Sequence, residues 1–407
     1  MPKQIAIIHS GVQHLLQTTL ALQKAQMLNK VYTSFVFKSR IKHVFSSGKI
    51  NKILNLRDFS LVDNKLIHLT PKYELIELIL KLVLGKNNFT TNILPTKRDI
   101  KFSKKISKKI SNNVDGILAF PNNALETFEK FPDLLKVIEQ PIGHKKIANE
   151  LFREEVKLNP IYADSISFFN ENSASIDRIN KELDLCDMVF APSNFVKSTL
   201  IQAGVEKSKI KLNPYGSFVE TSSVQDIQFN DKSKVLKILF VGQLTQRKGI
   251  SYLFDALRIC KEDIKIEFTM VGEIFGKGLW YDDVSKLISR HIKSIPRNEL
   301  QKLMLESDIF ILPSLFEGSA LVVYEALASG CVCIVSENTG ADSVKDFYNG
   351  FVVPIRDSEI IAQKILFLNE QRETLHKMKL NALLSANSFS WNKYGDRLVN
   401  FLDEYNR

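Results

Sequence analysis

The first residues, MPKQIAIIHSG, lack the apolar run that a signal-peptide core or a spanning helix needs, so the start is expected to be a strand of a cytoplasmic protein. With only 17 glycines and 12 prolines in 407 residues, the chain is too poor in both for long disordered or fibrous tracts. Four cysteines, Cys186, Cys260, Cys331 and Cys333, lie in apolar or helix-end contexts without metal-ligand spacing to histidines. They are expected to be small core residues in a reducing compartment. No tandem repeat at solenoid periods is evident. The turn after the first apolar run, HSGVQHLL, lacks the G-x-G-x-x-G pattern, which argues against a nicotinamide-dependent oxidoreductase on a Rossmann sheet.

What is present is 44% hydrophobic and 25% charged residues, the make-up of a soluble globular protein. The length exceeds one ordinary core and suggests two domains of about 200 residues with a cleft between them. Short apolar runs alternate with amphipathic stretches, as in IAIIHS followed by LLQTTLALQKAQ, and VLKILFVGQ followed by ISYLFDALRIC. That rhythm predicts βαβ units and an open doubly wound parallel sheet in each half. A strand ending in Asn213-Pro214-Tyr215-Gly216 sets the boundary, and the polar stretch Ser217 to Lys234 reads as a linker.

The net charge of +10 points to a polyanionic partner: nucleic acid, an anionic membrane surface or a phosphorylated substrate. Seven basic residues between Lys97 and Lys109 accompany Phe102, Ile106 and Ile110, spaced four apart on one helical face. Two readings stand side by side, a solvated helix whose narrow stripe packs on the first sheet and a helix that also touches anionic lipid.

The most informative segment is SLFEGSALVVYEALASG. Leu321, Val322, Tyr324 and Leu327 suit a helix that Gly330 ends as a left-handed cap, with Glu317 just before the first turn. The amides of Gly318, Ser319, Ala320 and Leu321 are then free donors at a strand's carboxyl end, where open α/β sheets bind ligands, and suit a diphosphate. Gly318 would permit close approach. Glu325 lies eight residues on, about 12 Å along a helix axis, so that one glutamate could reach a sugar and the other a ribose. The bland alternative is that Glu317 complements the helix dipole and Glu325 pairs with a surface neighbour.

Upstream, ILFVGQLTQRKG places Arg247 and Lys248 at a strand-to-helix turn, where cations neutralise a leaving diphosphate, although such tripeptides are usually solvated. Gly11, in the His9-Ser10-Gly11-Val12-Gln13 turn, would let backbone approach phosphate from the opposite side. His144, in Gln140-Pro141-Ile142-Gly143-His144, sits on a loop at a strand end, followed by Glu154-Glu155; a loop without a role is the alternative.

The strand-turn-RKG element, DIFILPSLFEGSALVVYEALASG, VCIVSE and NGFVVPIRD, in that order and spacing, resemble the C-terminal domain of family 4 of the retaining glycosyltransferases (glycosyltransferase group 1). The SGVQ turn, DMVFAPSNFVKSTLIQAGV and NPYGS extend the resemblance over nearly the whole chain. It implies an α/β GT-B fold of two Rossmann-like domains: residues 1–216 on the acceptor side, 217–390 holding the nucleotide-sugar, and a last helix, 391–407, returning to the first domain. It implies sugar transfer from a nucleoside diphosphate sugar to an acceptor hydroxyl with retention, without a metal or resident cofactor. The setting would be surface polysaccharide or glycolipid biosynthesis, with a lipid-linked or saccharide acceptor. The protein would be cytoplasmic, peripheral on an anionic membrane through Lys97–Lys109, and without nucleic acid. By position Glu317 would contact the donor sugar, Glu325 the ribose, Arg247 and Lys248 the diphosphate with Gly11 and the 318–321 amides, and Ile292 to Ile295 the base. His144 matches the family's histidine region only loosely. Gln243 stands where members often carry arginine, leaving Arg247 and Lys248 as an adjacent pair. A non-catalytic basic protein binding membrane or nucleic acid is the alternative, and a phosphorolytic or hydrolytic relative a further one.

Overall fold

The computed structural model describes residues 1–12, 14–37, 57–84, 89–166, 173–217, 221–223, 235–386 and 388–405. Gln13 of the SGVQ turn, most of the 217–234 stretch and the last two residues lie outside them.

Two parallel sheets form the frame. The first contains β1 (Ile5–His9), β2 (Leu28–Thr33), β3 (Ile67–Leu69), β4 (Gly116–Ala119), β5 (Leu135–Glu139), β6 (Met188–Ala191) and β7 (Ile210–Leu212), in the order β3-β2-β1-β4-β5-β6-β7. The second contains β8 (Val235–Val241), β9 (Lys265–Val271), β10 (Arg290–Ile292), β11 (Ile309–Leu312), β12 (Val332–Ser336) and β13 (Gly350–Val353), in the order β10-β9-β8-β11-β12-β13. Strands such as β1, β11 and β12 are buried along their whole length. Helices cover both faces, which explains continuous apolar runs in place of alternation. In each sheet the order reverses at one point, between β1 and β4 and between β8 and β11. The loops leaving those strands flank a crevice at the carboxyl edge.

The helices that matter for the site are α1 (Leu15–Lys24), α2 (Phe89–Ile106), α3 (Lys145–Leu158), α4 (Ile250–Lys261), α5 (Arg297–Leu305), α6 (Leu321–Ala328) and α7 (Trp391–Glu404). The last of these packs on the first sheet's side: Tyr394, Leu398 and Leu402 are fully buried in the same cluster as Leu15, Leu22 and Val31. The chain crosses between the sheets at Gly216, where a β-carbon would collide with the Trp391 amide at the start of the returning helix α7. All four cysteines are buried and unpaired.

The lysine-rich helix shows how the two readings of its stripe divide. Phe102, Ile106 and Ile110 are buried among the residues beneath the first sheet, so the apolar stripe is committed to the core. Arg98 also turns inward, 2.7 Å from Asp99 and 3.0 Å from Glu77. Lys97, Lys101, Lys104, Lys108 and Lys109 stay exposed. Among the described residues no helix is long and apolar enough to cross a membrane.

Candidate active site

The loops after β8 and β11 lie on either side of the second sheet's switch point, and the sequence builds them as one body. After β8, the Thr245 hydroxyl accepts the Arg247 amide at 3.1 Å and caps a single 3-10 turn, Gln246–Lys248. Gly249 then takes a left-handed conformation, φ +69°, and a β-carbon there would collide with the Pro313 carbonyl oxygen. Only glycine meets both requirements. The Leu315 amide donates to the Arg247 carbonyl at 2.9 Å, locking the two loops together.

Between them the charged side chains converge. One oxygen of Glu317, Oε1, receives both the Arg247 guanidinium and the Lys248 ammonium. Arg247 also donates to the Phe316 carbonyl at 3.1 Å. Burial pushes the Glu317 carboxyl up, but Lys248 and Arg247 outweigh it and hold it below its usual range. Lys248 is held down by burial, with Glu317 opposing and Arg247 adding to the effect. Two cations and one carboxylate leave one surplus positive charge in a water-poor pocket, where it acts more strongly than on the surface.

The same loop leads into α6. Among the described residues the amides of Gly318, Ser319, Ala320 and Leu321 donate no hydrogen bond, so the helix's positive end adds to that surplus. Ser319 Oγ lies 3.0 Å from the Tyr324 hydroxyl. Leu321 reaches across to pack on the first sheet's core cluster. Glu325 is 8% exposed and 3.5 Å from Arg297 at the start of α5. Burial raises its pKa and Arg297 opposes. The two glutamates are thus pushed in opposite directions, which is how neighbouring carboxylates come to take different tasks.

Gly318 also lies where the two halves meet. The space its missing side chain leaves is filled by the Pro141 carbonyl of the first sheet's loop, and its own carbonyl accepts from Ser193 Oγ at 2.5 Å. Gly318 therefore permits the approach of the two halves to each other at this point.

His144 is fully buried as the N-cap of α3, its Nδ1 accepting the Lys146 amide at 3.3 Å and its own amide donating to Thr199 Oγ1 at 3.0 Å. Burial holds its pKa down to about 4, partly opposed by Asn180 and reinforced by Lys146 and Lys145. The neighbouring Gly143 sits against the Phe316 ring. Gly11 follows β1, its carbonyl accepting from Thr33 Oγ1 at 3.2 Å, and its missing β-carbon leaves room for the His9 ring. Ile292 at the end of β10 and Ile295 just beyond it border the second core, and Gln243 is exposed. The structure thus gathers Arg247, Lys248, Glu317 and the 318–321 amides, places Glu325 about one turn further along α6 with Arg297, and gives His144 a capping role.

Sequence reasoning noted Glu155 without giving it a role and passed over Gln246 and Ser165; all three support the basic turn from behind. It also missed a buried set at the end of β5. There Glu139 receives the Tyr394 hydroxyl at 3.1 Å and lies 3.2 Å from His14. Buried polar residues at strand ends were the available signal, but their partners are distant in sequence.

Two doubly wound parallel sheets facing each other across a crevice have the GT-B architecture. The solved structure of Anabaena HepE in complex with UDP and glucose aligns over 99% of this chain and 100% of its own, with a TM-score of 0.61 at 16% identity. Residues 223–384 match the family model described as Glycosyl transferases group 1, and this stretch is a group 1 glycosyl transferase domain. The chain is 26% identical over 201 residues, 45% of its length, to the amylovoran biosynthesis glycosyltransferase AmsK of Erwinia amylovora. It is 27% identical over 183 residues, 41% of its length, to the Escherichia coli UDP-Gal:alpha-D-GlcNAc-diphosphoundecaprenol alpha-1,3-galactosyltransferase. The matches span 48% and 47% of those two relatives, so the chain spans about half the length of the curated relatives it matches.

Proposed function

We propose that this protein is a retaining, metal-independent glycosyltransferase of family 4 that moves a sugar from a nucleoside diphosphate sugar to an acceptor hydroxyl. The observation that carries the reading is the convergence of Arg247 and Lys248 on Glu317 beside the 318–321 amides, which donate no hydrogen bond among the described residues. A diphosphate entering there meets two cations and a helix N-terminus, while Glu317 is freed to accept from sugar hydroxyls. Glu325 would hold the ribose. The route is front-face: the bond from the anomeric carbon to the diphosphate oxygen breaks, and the acceptor oxygen bonds that carbon on the same face. The acceptor proton passes to the departing diphosphate oxygen. Arg247 and Lys248 stabilise the charge that develops, the work a metal ion would otherwise do.

The acceptor is read as lipid-linked or saccharide, in surface polysaccharide or glycolipid assembly. The diphosphoundecaprenol in the name of the Escherichia coli relative and the amylovoran biosynthesis in that of AmsK support this, as do the exposed lysines of α2, which suit a peripheral position on an anionic cytoplasmic membrane face. A screen of UDP-, GDP- and ADP-sugars by thermal shift would find the donor, because saturation at 100 times Kd adds about 2.7 kcal/mol. Proton NMR of the product then checks the stereochemistry; an inverted anomeric centre would overturn the mechanism. Glu325→Ala should weaken donor binding, and unchanged turnover would remove the ribose role.

A further inference from the structure

A segment of the first half reaches into the second and grips the basic turn. At the end of α3 the chain leaves the first sheet, and Tyr162 is buried in the second core, stacked on Trp280 with ring centroids 5.5 Å apart. Asp164 accepts the Lys277 amide at 2.6 Å. Ser165 then holds the turn by its backbone and side chain: its carbonyl accepts the Thr245 hydroxyl at 2.7 Å, and its Oγ accepts the Gln246 amide at 2.8 Å. Those are the two residues immediately before Arg247.

Glu155 completes the grip. It is fully buried, and its Oε1 accepts Gln246 Nε2 at 2.7 Å while Oε2 accepts Arg356 Nε at 2.7 Å. The Tyr252 hydroxyl and Asn159 Nδ2 occupy its remaining acceptor positions. Gln246, so held, binds Ser251 through both ends of its amide, at 2.6 and 3.2 Å, and fastens the turn to α4. A buried carboxylate with this many donors is a rigid anchor, and three of those donors, Gln246, Tyr252 and Arg356, belong to the other half of the molecule.

We infer that residues 155–166 form a positioning arm, with Glu155 and Ser165 as positioning residues that aim Arg247 and Lys248 at the diphosphate; the inference rests on the site reading above. Neither residue is one of those assigned to the diphosphate itself. The arm makes the orientation of the cations depend on the docking of the first half onto the second.

The test is calorimetric titration of the full chain with inorganic pyrophosphate, which carries the diphosphate without committing to a base or sugar. Folding is checked by circular dichroism. Lys248→Ala should bind pyrophosphate weakly. Glu155→Gln should raise the Kd about tenfold, the scale on which supporting partners of a site act, and Glu155→Asp should recover part of the loss. Ser165→Ala should move it in the same direction. If folded Glu155→Gln binds as wild type while Lys248→Ala does not, the arm has no positioning role. If Lys248→Ala also binds as wild type, the diphosphate site is wrong and the inference falls with it. Should Glu155→Gln fail to fold, Ser165→Ala decides, and wild-type affinity in that variant overturns the inference.

Discussion

Lys248 is buried beside an arginine, both of which lower its pKa, and the Glu317 carboxylate opposes them. Removing the ammonium by Lys248→Ala should cut kcat by about 10²-fold or more, the usual loss of a charge-stabilising donor, as read by sugar release from the donor found in the screen. His144 offers a test at the same scale. Its ordinary value of 6.5 falls to about 4 in the folded protein, so the unfolded chain binds the proton first as pH drops. Stability from this group is whole above 6.5 and is lost as pH falls through about 4, by roughly 3 kcal/mol in all. Urea unfolding between those limits should show a shallower pH dependence in His144→Asn, which keeps an N-cap side chain. An equal slope in both proteins would remove His144 as the source.

At the scale of elements, the turn between β8 and α4 depends on one residue that must be glycine. Gly249→Ala adds a β-carbon against the Pro313 carbonyl at a left-handed φ, and should destabilise the protein by at least about 1 kcal/mol. Denaturant midpoints at unchanged m-value check it. The turn's existence was legible in the sequence, since a buried strand, RKG and an amphipathic stretch follow one another. That Arg247 and Lys248 meet on one carboxylate was not, because this depends on the neighbouring order of β8 and β11. Helix α2 was legible as a pattern, with its stripe and its lysines. Which partner the stripe takes was fixed only when β1, β4 and the helices of the first half closed over Phe102 and Ile106.

At the scale of the molecule, the halves are joined at several places: the crossing at Gly216, the return through α7, the Gly318–Pro141 contact and the arm at Glu155. Truncation after Phe389 would strip Tyr394, Leu398 and Leu402 from the first core. At about 1.5–3 kcal/mol for each buried side chain, the loss rivals the whole stability of a domain. The shortened chain should be insoluble or unfolded by circular dichroism. Gly318→Ala should instead spare each core and push the halves apart, seen as a larger radius of gyration in solution scattering and a lower unfolding midpoint. An unchanged radius would mean the Pro141 loop yields.

The sequence by itself determined the local grammar: alternating strands and helices, a left-handed stop at Gly330 after α6, a cationic turn, and a glutamate ahead of a helix whose first amides are unpaired. Each follows from periodicity or backbone chemistry within about twenty residues. Only the tertiary structure decided that Glu317 lies between Arg247 and Lys248, that Gly318 serves the contact between halves, that His144 is a buried cap, and that Glu155 reaches Gln246 and Arg356. Each of these joins residues tens to hundreds of positions apart, and burial there turns ordinary side chains into shifted acids and anchored supports, which no local pattern records.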